Sequence, residues 1–131
     1  MIFDSSEIIA LERNRADAEA LIVGRESEPF GISVVTVAEL LHGVERADTE
    51  GRRVRRQAFV EKVLELFPVF PFDTSAARIY ARLWAALARK GQAVGAHDLI
   101  IAATAVSLDF AVVTHNRRDF ERIEGLRLEV R

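Results

Sequence analysis

The 131-residue chain contains no cysteine, which excludes a disulfide framework and any thiolate metal site. No apolar run approaches the ~20 residues of a membrane-spanning helix, and no basic segment precedes an apolar one as in a secretory signal. A cytoplasmic protein with no membrane partner is expected. A net positive charge is also lacking. Eighteen Lys and Arg against 20 Asp and Glu leave a net charge of −2, so any hold on nucleic acid must be local rather than spread over the surface. Repeats, low-complexity tracts and linkers are missing too. At this length a single domain over residues 1–131 with a substantial core is expected.

What is present is a succession of short apolar runs separated by helical patterns. Met1-Ile2-Phe3 is an apolar opening that stops at Asp4-Ser5-Ser6, residues suited to cap a helix. Residues 7–25 read as one or two helices with a break near Asn14. Residues 30–35 form a β-rich run, and a helix is expected to start at Thr36. A longer helix covers 49–67, with Phe59, Val60, Val63 and Phe67 among its apolar positions. A strand between Pro68 and Phe72 follows, then a helix capped by Asp73 or Thr74 and ended by Gly91. An alanine-rich helix carries Asp98 near its start. Residues 110–113 form a strand, a helical turn surrounds Asp119, and residues 126–130 form the last strand. Short apolar strands alternating with helices predict an α/β fold, an α/β/α sandwich with a central, mainly parallel sheet.

In such sheets ligands gather outside the carboxyl ends of the strands. That rule gives meaning to four acids. Asp4 and Asp119 follow apolar strands, while Glu39 and Asp98 are expected in the first turns of helices. Two unit charges about 4 Å apart repel by roughly 4 kcal/mol at an effective dielectric of 20, so converging carboxylates need protons or a cation. Oxygen-only ligands suit Mg²⁺ or Mn²⁺ better than zinc. Such ions position phosphates and activate water, and phosphodiester hydrolysis is the natural chemistry.

Each acid also has a purely structural reading. Thr36-Val37-Ala38-Glu39 matches a capping box, with Glu39 bonding back to the Thr36 backbone. Asp98 serves as a first-turn charge, Asp4 as a cap, and Asp119 as a polar turn residue. Thr114, Asn116 and Ser6 either orient groups at the site or simply form turns. Arg52-Arg53-Val54-Arg55-Arg56 reads as a solvated helix face or as a local phosphate contact through Arg52 and Arg56, with Arg46 a further RNA-binding candidate. The three histidines are too scattered for a zinc motif. Tyr80 and Trp84, or Ile8, Ile9 and Leu11, are candidates for an exposed patch that a partner covers.

Four strings, read together, resemble the PIN-domain nucleases and specifically the VapC toxins of bacterial and archaeal toxin–antitoxin pairs. They are residues 1–6 (MIFDSS), residues 32–43 (ISVVTVAELLHG), residues 98–105 (DLIIAATA) and residues 114–120 (THNRRDF). The resemblance covers nearly the whole chain. It implies a Mg²⁺- or Mn²⁺-dependent endoribonuclease that leaves a 5′-phosphate and a 3′-hydroxyl, a homodimer, and inhibition by a VapB-like antitoxin. By the same resemblance Asp4, Glu39 and Asp98 match the metal-holding acids. The fourth acid stands at the position of either Asn116 or Asp119; Asn116 is neutral, so Asp119 is chosen. Ser5 stands where the family has Thr after the first Asp.

Two other functions compete. A non-catalytic PIN-like interaction module would bind no divalent metal. A phospho-acceptor domain with Asp4 as nucleophile would want a second acid two positions on, where Ser6 stands.

Overall fold

The alternation of side chains along two-residue and three-residue strands decides the layers. In the computed structural model, which describes residues 1–131, the strands are β1 (Ile2–Phe3), β2 (Ile32–Ser33), β3 (Val69–Phe70), β4 (Val112–Thr114) and β5 (Leu128–Val130). All pairings are parallel: β1 with β4, β4 with β5, and β2 with β3. A single bridge between Ile2 and Gly31 joins the two ladders, so the order across the molecule is β3-β2-β1-β4-β5. Ile2 and Val112 point to one face, and Phe3 and Val113 to the other, because successive residues of a strand alternate.

Helices α1 (Ser5–Arg13), α2 (Val34–Glu45) and α3 (Glu50–Leu66) cover the Phe3 face. Ile8, Leu11, Leu40, Val44, Val60 and Val63 form that core. Helices α4 (Thr74–Arg89), α5 (Ala96–Leu108) and the short α6 (Arg117–Phe120) lie against the Ile2 face. There Leu87, Leu99, Ala102, Ala105 and Phe120 pack. Each large apolar side chain taken fully from water stabilises the fold by roughly 1.5–3 kcal/mol. Ala102, Ala103 and Ala105 of α5 are fully buried. This is the expected α/β/α sandwich.

Several boundaries differ from expectation. The run at 30–35 contributes only Ile32 and Ser33 to the sheet, because the Ser33 side chain accepts from the Val35 amide at 3.1 Å and starts α2 at Val34. A hydroxyl cap here overrides the β preference of Val34 and Val35. The helical pattern at 7–25 breaks at Asn14, as its composition indicates; Arg15 follows at φ 51°, and only a short 3-10 turn at Ala18–Leu21 continues it. Gly31 is fixed by a close approach: a Cβ there would lie 2.5 Å from the Pro68 carbonyl oxygen and 2.6 Å from the Phe70 ring. Ile8 and Leu11 are buried and unavailable to a partner, whereas Trp84 is 62% exposed at the end of an edge-to-face ladder from Phe72 through Tyr80. No helix is long and apolar enough to cross a membrane.

Candidate active site

The strand order reverses between β1 and β4, since the chain builds outward from β1 on one side and from β4 on the other. Crevices open at the carboxyl ends of strands at such a switch point. Asp4 directly follows β1, and its amide donates to the Val113 carbonyl of β4 at 2.9 Å. Thr114 is the last residue of β4. The topology therefore carries these two residues, 110 positions apart, to one point.

Asp4 is 3% exposed, and a buried carboxylate must be satisfied. Its Oδ1 accepts from the Ser5 amide at 2.8 Å, capping α1. Its Oδ2 accepts from the Ser6 hydroxyl at 2.8 Å and from the Thr114 hydroxyl at 2.9 Å. Thr114 Oγ1 in turn accepts from the Asn116 amide at 2.9 Å. The cap reading of Asp4 and its placement at the switch point are thus both observed, and the cap uses only one of its oxygens.

Glu39 is the sixth residue of α2, in its second turn rather than its first. The capping box is absent because Ser33, not Thr36, is the cap. Glu39 Oε1 instead accepts from the Ser5 hydroxyl at 3.1 Å, and Ser5 Oγ also lies 3.0 Å from Thr36 Oγ1. Ser5 holds two acids at once, Asp4 through its amide and Glu39 through its hydroxyl. In the sequence Thr36 reads as a helix start and capping-box residue and Ser5 as part of a capping stretch where the family has Thr; the Ser5–Glu39 and Ser5–Thr36 contacts appear only in the fold. With Ser33 as the cap, Thr36 and Glu39 both lie inside α2, three residues apart on one face.

Asp98 is the third residue of α5, half-buried in its first turn. Its Oδ2 lies 3.4 Å from the position a Cβ on Gly95 would take. Burial pushes its carboxyl up to about 6, and the charges of Asp119, Asp4 and Glu39 push the same way, opposed by His97. Asp119, Asp4 and Glu39 are thus near enough to Asp98 for their charges to disfavour its ionised form. The set is open: no three acidic or imidazole side chains converge tightly enough to enclose a cation. Asp119 lies in α6, half-buried, while Asn116 is exposed and its side chain caps nothing.

Two histidines approach this rim. His97 Nδ1 is 3.5 Å from Glu39 Oε1. His115 Nε2 is 3.4 Å from Oε2 of Glu7, a carboxylate only 2% exposed whose other oxygen has no partner. Burial raises the Glu7 carboxyl and the neighbouring His115 opposes that rise.

The basic candidates lie beyond Glu39. Arg46 is exposed at the end of α2. Arg52 is bound by both oxygens of Asp48, at 2.7 and 2.8 Å, and Arg56 donates to the Gly43 carbonyl at 2.8 Å. Arg46, Arg52 and Arg56 line one hollow together with Asp48.

Fold and site together define an α/β protein with clustered acids at the switch point of a parallel sheet. The chain belongs to the PIN domain family, whose family model matches residues 1–126. It is 37% identical over 129 residues to Ribonuclease VapC1 of Rickettsia felis, covering 96% of this chain and 92% of that protein. It is 42% identical over 98 residues to the tRNA(fMet)-specific endonuclease VapC of Salmonella typhimurium, covering 75% and 72% of the two chains. A crystal structure of DNA-bound VapBC from Salmonella typhimurium superposes with a TM-score of 0.85 at 34% identity, over 98% of this chain and 96% of that one.

Proposed function

We propose that this chain is a divalent-metal-dependent endoribonuclease of the VapC type, acting as the toxin of a toxin–antitoxin pair. The observation that carries the reading is the Ser5 link: one residue fixes Asp4 and Glu39 side by side at the switch point, where both add to the charge that raises Asp98. The relatives named as ribonucleases supply the substrate class, and the solved VapBC assembly supplies a VapB-like partner. Homodimerisation follows from the family resemblance.

The donor set fits Mg²⁺ or Mn²⁺. It is all oxygen, anionic, partly desolvated and free of thiolate, which is what a small hard cation requires. Asp4, Glu39 and Asp98 would hold the ion, with Asp119 as the fourth acid. A divalent cation there supplies Lewis acidity toward a phosphodiester and acidifies a nucleophilic water. The protein's own part is positional. Ser6 and Thr114 donate to Asp4 Oδ2 and fix the plane of that carboxylate, and Ser5 fixes Glu39. Asn116 is held through its backbone amide to Thr114 and lines the hollow that also holds Ser6 and His115.

An RNA digest with Mn²⁺ and with chelator tests the reading. Cleavage in Mn²⁺, none in EDTA, and none by Asp98→Asn under either condition is the expected pattern. Cleavage that persists in EDTA rejects it.

A further inference from the structure

We propose that Arg13 is the phosphate-contact residue at the centre of a single-stranded RNA track leading away from the acidic site. Three hollows on the surface share this one side chain. The first, about 390 Å³, joins Arg13 to Ser6, Asn14, His115 and Asn116 beside Asp4. The second, about 230 Å³, joins it to Glu39, Arg46 and Arg56. The third, about 760 Å³, continues outward past Arg15, Arg52, Arg55 and Arg56 over a floor of Leu11, Ala16 and Phe59. Together they form a path from the carboxylates, over the end of α1, onto the face of α3.

Charge decides the occupant. The acidic site repels phosphate, and the chain as a whole carries −2, so a polyanion needs local positive charge to approach. Arg13, Arg15, Arg46 and Arg55 take part in no ion pair, unlike Arg52 with Asp48 and Arg53 with Glu45. Five of the nine residues lining the third hollow are arginines, against one acid, Glu12, and that excess of positive charge suits a chain of phosphates. Arg13 touches both the hollow beside Asp4 and the one beside Glu39, so a strand entering the site by either route passes it. The sequence pointed only to Arg46, Arg52 and Arg56, because Arg13 stands apart from any basic run.

This inference rests on the ribonuclease reading, and its test separates the two. Cleavage of a fluorescent single-stranded RNA is followed in Mn²⁺ over a range of salt concentrations for the parent, Arg13→Ala, Arg13→Lys and, as a distant control on α4, Arg78→Ala. Binding of the same RNA is measured in EDTA by anisotropy. Arg13→Ala is expected to raise KM and Kd about tenfold with kcat changed less than threefold. It should also lower the slope of log Kd against log salt by about 0.7, the loss of one phosphate contact on a single strand. Arg13→Lys should recover most of the salt slope, and Arg78→Ala should match the parent. A parent that cuts RNA while Arg13→Ala keeps its KM and slope overturns the track alone. Loss of affinity for a poly-glutamate peptide without change toward RNA also overturns it, assigning the groove to an acidic protein segment. A parent that neither cuts nor binds RNA overturns the ribonuclease reading and the track with it.

Discussion

Replacing Asp98 by asparagine should make the metal-free protein more stable while removing its activity. The reasoning starts from the carboxyl pushed up to about 6 by burial and then by Asp119, Asp4 and Glu39. Raising an aspartate that far is worth roughly 3 kcal/mol. Asp98 is only half-buried, and screening by solvent brings the figure to on the order of 1–2 kcal/mol. The sign follows from proton counts. Between about pH 4 and about pH 6 the native state keeps a proton that the unfolded chain has released, so stability falls as pH rises through that window. Above it the whole penalty stands. At pH 7.5 in EDTA, Asp98→Asn should therefore gain about 1–2 kcal/mol over the parent, near 3–7 °C in Tm for a chain of this size. At pH 4 the gain should vanish. Urea unfolding followed by circular dichroism at the two pH values measures the first effect, and RNA cleavage in Mn²⁺ measures the second. A variant no more stable than the parent at pH 7.5 refutes the crowding of charge at this site. One that cuts at the parental rate refutes the role of Asp98.

Thr114→Val keeps the shape of a fully buried side chain but removes a donor to Asp4 and the acceptor for the Asn116 amide. It should lose about 1–3 kcal/mol of stability, read by urea unfolding, and cleavage should fall at least tenfold with the fold intact. Gly31→Ala should lose about 1–3 kcal/mol by overpacking, because its Cβ meets the Pro68 backbone oxygen, which cannot rotate away. Phe67→Ala should lose roughly 3–5 kcal/mol, since its ring packs edge-on against both Phe3 and Phe30; an effect below 1 kcal/mol would contradict the packing described for that face.

The sequence made the architecture legible because strands of two or three residues must be nearly wholly apolar to be buried on both faces. Ile2-Phe3 and Val112-Val113 stood out for that reason, and their ends led to Asp4 and Thr114. The start of α2 was harder to read. Val34 and Val35 look like strand, and only the side chain of Ser33, turning back to an amide, makes them helical. That shift of two residues removed the capping box from Glu39 and turned it toward Ser5. The linking role of Ser5 was hidden because it takes two separate bonds, one from its backbone and one from its hydroxyl. Spacing along the chain does not reveal bonds made across 34 residues. Arg13 was missed similarly, since hollows shared between α1, α2 and α3 exist only after folding.

The most direct test is a calorimetric titration of Mn²⁺ into the parent chain, Glu39→Gln and Asp98→Asn, with unfolding curves confirming that each protein is native. Saturable binding by the parent that drops sharply in both variants is the predicted result. Equal binding by all three, or no binding by a folded parent, would contradict a shared carboxylate site for the ion.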